Sequence, residues 1–421
     1  MSLQSINLYN LLARKKLFKK KVNFSLERIK EALTKLNNPE RKLNKVVNII
    51  GSDGKYSVLT YLKFFIEADG LKTSAFISPS IKSIKDRFWM GERFLSYNEI
   101  RNSINNIEKL KITLTTFEVL TLIFILNASK QNNDFNLIEA GALFEKDSTN
   151  LFTFPFAQIV VNINKQHLNF LKRKTIDEVV KQKVGSLSQF SNLYIAEQKP
   201  FILKKIKKKL KDNLSNKIFS NNWRLEKLKR GLVYYDKKNK IKVKTKNIHS
   251  EGLKKNLALA IKIALDIGIK PKLIEKTIPK IKLQARVEYI NKGRLVGKLY
   301  QSEKVIIDGC HSEISGENFA NYLKTIKKTK YGIIGMSKNK DPLKFTKKFK
   351  GIFEKVFVVP VGPNSESINP DVLKKILTLN GIKSEKAKNL NEAIKKISSR
   401  KSKLICVFGS LYLCGNFLNK N

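Results

Sequence analysis

The sequence predicts an α/β protein built from doubly wound, mainly parallel sheets in two successive regions. Three observations carry this expectation. Short aliphatic runs alternate with stretches of helical spacing, a glycine turn separates the first strand from the helix after it, and polar residues recur where strands end. With 421 residues, 42% of them hydrophobic and 9% aromatic, the chain exceeds one ordinary core and has the apolar content to pack more than one.

In chain order, residues 26–36 have helical spacing that Pro39 ends, and Val46–Ile50 is a short apolar run of the kind that forms a buried strand. Gly51-Ser52-Asp53-Gly54-Lys55 follows, and then Leu59, Leu62, Phe65 and Ile66 recur at helical intervals. The alternation continues with a strand at 73–77, a helix at 117–126, and strands at 135–138 and 159–163. Residues 204–210 read as a helix with Ile206 and Leu210 on one side and solvated lysines elsewhere. Helices at 255–265 and 272–275 lead through Pro279 to a boundary near 283, which gives regions 1–283 and 284–421. The second region carries strands at 305–307, 332–334, 356–359 and 404–408.

The formal charge is +48, mostly lysine spread along the whole length with no localised arm. That distribution is a solvated basic surface which attracts anions, and neither a specific nucleic-acid partner nor a membrane is expected from it. Cys310, Cys406 and Cys414 have no paired spacing, so a reducing, cytoplasmic setting fits. Residues 1–20 lack an apolar core followed by small residues, and no secretory leader is expected. The run 117–126 is about half the ~20 residues that a bilayer requires.

Polar clusters share one location. Gly51 to Lys55, Ser78 and His167 follow strands, and Glu139 and Asp308 end them, which is where open parallel sheets bind ligands. In Gly51-Ser52-Asp53-Gly54-Lys55-Tyr56-Ser57 the glycines let backbone amides face a phosphate, and Lys55 is placed to reach the β and γ phosphates. Only two residues separate the glycines, so the strict P-loop spacing is not met. The competing reading is an ordinary strand-to-helix turn with a solvated lysine.

The segment 47–57 resembles the short nucleotide loop of the Mur ligase superfamily, and the motifs around it resemble the folylpolyglutamate and dihydrofolate synthase branch. Those motifs are Leu26-Glu27-Arg28-Ile29, Asn38-Pro39-Glu40-Arg41, Ile77-Ser78-Pro79, Ile138-Glu139-Ala140-Gly141, Asp147-Ser148-Thr149-Asn150, Gln166-His167, Gln182-Lys183-Val184-Gly185, Asp308-Gly309-Cys310-His311, Lys340-Asp341-Pro342 and Gly409-Ser410-Leu411-Tyr412-Leu413. Their order and spacing follow the family over nearly the whole chain. The resemblance implies a Mur-ligase-like architecture, with a P-loop-type ATPase domain followed by a Rossmann-like domain.

It also implies an ATP-dependent ligase that adds L-glutamate to dihydropteroate, tetrahydrofolate or both through an acyl phosphate. ATP, L-glutamate and a pteroate or folate are the implied partners, and the loop 51–57 the implied ATP site. By the same resemblance Ser78, Glu139 and His167 are magnesium ligands, Lys183 is a lysine carried as a carbamate, Asn256 lies on the adenine side, Arg286 and Asp308 contact ATP, and His311 serves the amine or acyl phosphate. His249 matches nothing and is expected at the surface, and a monomer is expected. The chain departs from the family at Tyr56, at Leu143-Phe144-Glu145 (usually Gly-Gly-Arg), at Gln166 (usually Asp), at Gly252 (often His) and at Ser312-Glu313 (usually Asn-Pro). Two alternatives stand beside this reading: a related amide ligase acting on another carboxylate, and a basic nucleic-acid-binding protein without catalysis.

Overall fold

The computed structural model describes residues 8, 12, 18–19, 24–228, 231–244, 247–362 and 367–421. Most of the segment 1–20, where the absence of a leader was read, lies outside the described residues. Packing divides the chain into two units. One holds 282–421 with the described part of 246–252, and the other 253–281 with the described part of 3–245.

The larger unit begins with helix α1 (Glu27–Lys35), strand β1 (Val46–Ile50) and helix α2 (Lys55–Ala68). Strand β2 (Thr73–Phe76), strand β3 (Phe88–Met90), helix α3 (Tyr97–Glu108) and helix α4 (Thr116–Ala128) follow. Then come strand β4 (Phe135–Glu139), strand β5 (Ala157–Val160), helix α5 (Ile176–Val184), strand β6 (Asn192–Ile195), helix α6 (Pro200–Lys209) and strand β7 (Asn216–Phe219). They form a sheet of order β3-β2-β4-β1-β5-β6-β7, parallel throughout except for β3, which runs antiparallel on β2.

All five residues of β1 are buried, which explains why that strand reads as a continuous apolar run. Ser96 and Thr115 each accept from the amide three residues on, and Glu99 and Glu118 reach back to close capping boxes at α3 and α4. The core of α4 is apolar all round because it lies buried against β2 and β3. Among the described residues, no helix is long and apolar enough to cross a membrane.

A three-stranded antiparallel ribbon, β8 (Trp223–Leu228), β9 (Gly231–Asp236) and β10 (Lys240–Val243), comes next, and helices α7 (Glu251–Asp266) and α8 (Pro271–Thr277) close this part of the chain.

In the smaller unit, strands β11 (Glu288–Ile290), β12 (Glu303–Asp308), β13 (Thr329–Ile334), β14 (Lys355–Val358), β15 (Ser384–Lys386) and β16 (Lys403–Phe408) are ordered β11-β12-β16-β13-β14-β15, and only β11 runs antiparallel. Helices α9 (Glu313–Lys324), α10 (Pro342–Lys347), α11 (Pro370–Leu379), α12 (Leu390–Ile397) and α13 (Leu411–Lys420) alternate with the strands.

The structure corrects several sequence expectations. The strand expected at 159–163 spans Ala157–Val160, because the backbone of 161–164 turns to serve the glycine loop. The antiparallel ribbon was not expected, although in β10 exposed lysines alternate with the buried Ile241 and Val243. His249, expected at the surface, is half-buried. Its ring packs 5.3 Å from Tyr289 and 5.4 Å from Tyr322, whose hydroxyls lie 2.9 Å apart.

Candidate active site

The glycine loop leaves β1 along a path that side chains forbid. Gly51 has φ +143, and a Cβ there would lie 2.4 Å from the Val161 side chain; Gly54 has φ +104, and a Cβ there would lie 2.7 Å from the Asn256 amide group. Asn256, expected on the nucleotide, is thus brought from α7 to the loop. Ser52 N–H donates to Asn162 O at 2.8 Å and Ser52 Oγ to Asn164 O at 3.2 Å. Asp53 accepts from Asn164 Nδ2 at 2.6 Å and from Gln166 Nε2 at 2.9 Å. Gln166, a departure from the family pattern, therefore anchors the loop. Tyr56 and the buried Ser57 open α2 behind Lys55.

Lys55 is buried, donates to Gly51 O at 3.3 Å and lies 3.9 Å from Glu139 Oε1. Glu139 closes β4 and is 3% exposed, and its Oε2 accepts from Ser78 N–H at 3.0 Å. Ser78 Oγ in turn accepts from Arg87 at 3.2 Å. Arg87 was missed in the sequence, where one more cation in a basic chain gives no signal. A carboxylate and a hydroxyl at adjacent strand ends form a hard oxygen pair, the donor type that magnesium prefers. His167 sits in a left-handed turn, φ +58, its ring 6.1 Å from that of Phe170. No group of three or more His, Cys, Asp or Glu residues able to hold a metal occurs among the described residues.

Lys183 is 1% exposed, unlike the solvated lysines of the surface. Its ammonium donates to Gly51 O at 2.8 Å and Ala142 O at 2.6 Å. Burial pulls its pKa down to about 7, and the nearby Lys55 acts in the same direction, while Asp147 and Asp53 oppose. Asp147 accepts from Gly141 N, Thr149 N and Thr149 Oγ1, and its own burial raises its pKa.

The Leu143-Phe144-Glu145 departure packs down onto α5. Leu143 and Phe144 are buried, Phe144 N and Glu145 N donate to Gln182 O, and the Gln182 amide donates to Glu145 at 2.8 Å. A segment that usually carries two glycines is pinned here to the helix that bears Lys183.

In the smaller unit, Arg286 sits between two strained residues, Ala285 at φ +53 and Val287 at φ +50. For a β-branched valine this is an outlier, a conformation that survives only where surrounding contacts impose it. Asp308 Oδ2 accepts from Val287 N at 2.8 Å and Oδ1 from Cys310 N at 2.7 Å, while Glu288 accepts from Ala285 N at 2.8 Å. Burial raises the Asp308 pKa, and the Arg286 charge works against that rise. His311 Nδ1 lies 2.8 Å from Gly309 O. All three cysteines are buried and free.

Residues 296–420 match the family model of the dihydrofolate synthetase C-terminal domain. Among curated proteins, a folylpolyglutamate synthase of Lacticaseibacillus casei is 22% identical over 408 residues, 92% of each chain. A dihydrofolate synthase/folylpolyglutamate synthase of Buchnera aphidicola is 24% identical over 378 residues, covering 88% of this chain and 86% of the relative. In fold, the chain superposes on Mycobacterium tuberculosis folylpolyglutamate synthase complexed with ADP and AMPPCP with a TM-score of 0.83 at 18% identity, covering 99% of this chain and 98% of that one. Escherichia coli FolC in complex with DHPP and ADP gives 0.84 at 18% identity, covering 98% and 97%. These matches bear out the resemblance read from the motifs and the two-sheet α/β fold it implied.

Proposed function

We infer that this chain is a member of the folylpolyglutamate and dihydrofolate synthase family, an ATP- and divalent-metal-dependent ligase that joins the amine of L-glutamate to a pteroate or folate carboxylate. The observation that carries this reading is the meeting of Lys55, Glu139, Ser78 and Lys183 around a glycine loop at the carboxyl ends of parallel strands.

In the first step a carboxylate oxygen of the acceptor attacks the γ-phosphorus of ATP, the bond to the β-γ bridging oxygen breaks, and ADP leaves. The loop amides and Lys55 hold the β and γ phosphates and neutralise charge as it moves to the leaving oxygen. Ser78 and Glu139 would hold magnesium, which supplies further charge neutralisation when bound. In the second step the glutamate amine attacks the acyl phosphate carbon, and phosphate leaves. Arg286 offers a planar set of donors suited to phosphate oxygens. Gly309 O only accepts, so a neutral His311 with its proton on Nδ1 would take the proton of the attacking amine on Nε2. Turnover that requires a pteridine acceptor and glutamate together, measured as ADP release with each component omitted in turn, tests the assignment; ATP hydrolysis indifferent to both would refute it.

Converting Glu139 to Gln is expected to raise the magnesium concentration for half-maximal turnover, roughly tenfold or more, because an amide is a far weaker ligand for a hard cation. An unchanged magnesium titration would remove Glu139 from the metal set.

Lys183 supports the carbamate reading through its environment. A lysine held near pKa 7 is substantially neutral at physiological pH, and only the neutral amine adds carbon dioxide. The carbamate retains one N–H, enough to keep one of the two carbonyl bonds. Because the folded pKa is depressed below that of the unfolded chain, the folded state holds fewer protons between the two values. Stability contributed through this residue therefore rises with pH from about 7 toward the unfolded lysine range. Urea midpoints across that window should climb for the wild type and flatten for Lys183→Met, and removing carbon dioxide should lower activity reversibly.

A further inference from the structure

At the amino ends of β1 and β5, opposite the glycine loop, lies a cleft of about 620 Å³, within the range of small-molecule sites. The five residues of β1 separate it from the loop by about 13 Å at ~3.3 Å per residue. Nothing in the reaction above uses it.

Its lining is chemically mixed in a particular way. Arg41, with a side chain 78% exposed, presents a guanidinium, and Lys45 lies with its ammonium 5.0 Å from the Phe135 ring and 6.0 Å from that of Phe156. Phe154, 73% exposed, stands at the rim with its ring 5.8 Å from that of Phe190, itself 64% exposed. Two phenyl rings paired in water are an uncommon cost on a surface this polar. Glu40, whose side chain is 13% exposed, also lines the cleft, and its Oε1 lies 3.9 Å from Arg41 Nε, which holds the guanidinium at the cleft.

We propose that this cleft is a second, non-catalytic binding site for a small aromatic anion. The complement of aromatic walls and two cations is a planar aromatic ring with an acidic tail: the ring stacks on Phe154, and the tail meets Arg41 and Lys45. The overall charge of +48 favours such an anion over a neutral ligand. Nucleoside phosphates and pteridine carboxylates share this chemistry.

The test is calorimetric titration of the full chain with adenosine monophosphate and, separately, with pteroylglutamate, for wild type, Phe154→Ala and Arg41→Glu. Both side chains are exposed, so both variants should fold. The expected result is a binding component with one probe that each variant weakens roughly tenfold or more while ADP release stays within about twofold of wild type. The probe that shows it identifies the source of the anion. The proposal is overturned if no component responds to both variants, or if binding and turnover fall together, which would place the ligand at the catalytic site.

Discussion

Lys55→Ala is expected to lower turnover by about 10²- to 10³-fold, the range for removing one preorganised donor from a developing anion, with a further loss in ATP affinity. The structure gives Lys55 little else to do. It is buried at the start of α2, donates to a carbonyl of the glycine loop and lies 3.9 Å from Glu139, a distance that leaves room for phosphate oxygens to become the main partner. Folding should survive, because Lys183 already donates to the same Gly51 carbonyl at 2.8 Å, and Glu139 retains its bond from the Ser78 amide. Single-turnover measurement of ADP formation at saturating ATP, together with a urea transition, separates chemistry from folding. Wild-type turnover in the variant would dismiss the loop as a phosphate site.

Asp308→Ala is expected to cost about 3 kcal/mol or more in the stability of the smaller unit, because it strips acceptors from two buried amides and removes the counter-charge near Arg286. Both amides, Val287 N and Cys310 N, bond to Asp308 at 2.7–2.8 Å. The consequence reaches further than two hydrogen bonds, and the strain released there offsets part of their loss. Ala285 and Val287 are held at positive φ, a state that costs about 1–3 kcal/mol per residue and relaxes when its clamp goes. Arg286 lies between them, so relaxation moves the guanidinium as well. Asp308→Asn keeps one acceptor oxygen and should lose less stability, while ATP affinity falls in both variants. A urea transition of Asp308→Ala that coincides with the wild type would show that the strained turn is held by other contacts.

The long apolar strands and the glycine loop were legible because their signals are local. β1 is buried along its length and so is uniformly apolar, and the strand-loop-helix order follows from spacing alone. The missed elements failed for the opposite reason. The ribbon of β8, β9 and β10 is stabilised by pairing between strands, which no single short segment records. Glu139 was legible as a functional acid, since ending an apolar strand with a carboxylate is costly without a partner. The roles of Arg87, Asn164 and Gln166 were not: each acts by orienting another side chain, and the Asn164 and Gln166 pairings with Asp53 join residues more than 100 positions apart.

By itself, the sequence determined the alternating α/β plan, the glycine loop and the order of motifs, because periodicity, conformational freedom and residue type are properties of short segments. Only the tertiary structure showed the surroundings of the two lysines that the motifs singled out. In a chain with 83 Lys and Arg residues, composition makes Lys55 and Lys183 indistinguishable from the solvated rest. Burial beneath the loop, with carbonyl oxygens around both and a neighbouring cation to lower the Lys183 pKa, gives them their chemistry, since desolvation and nearby charge exist only once the chain has folded.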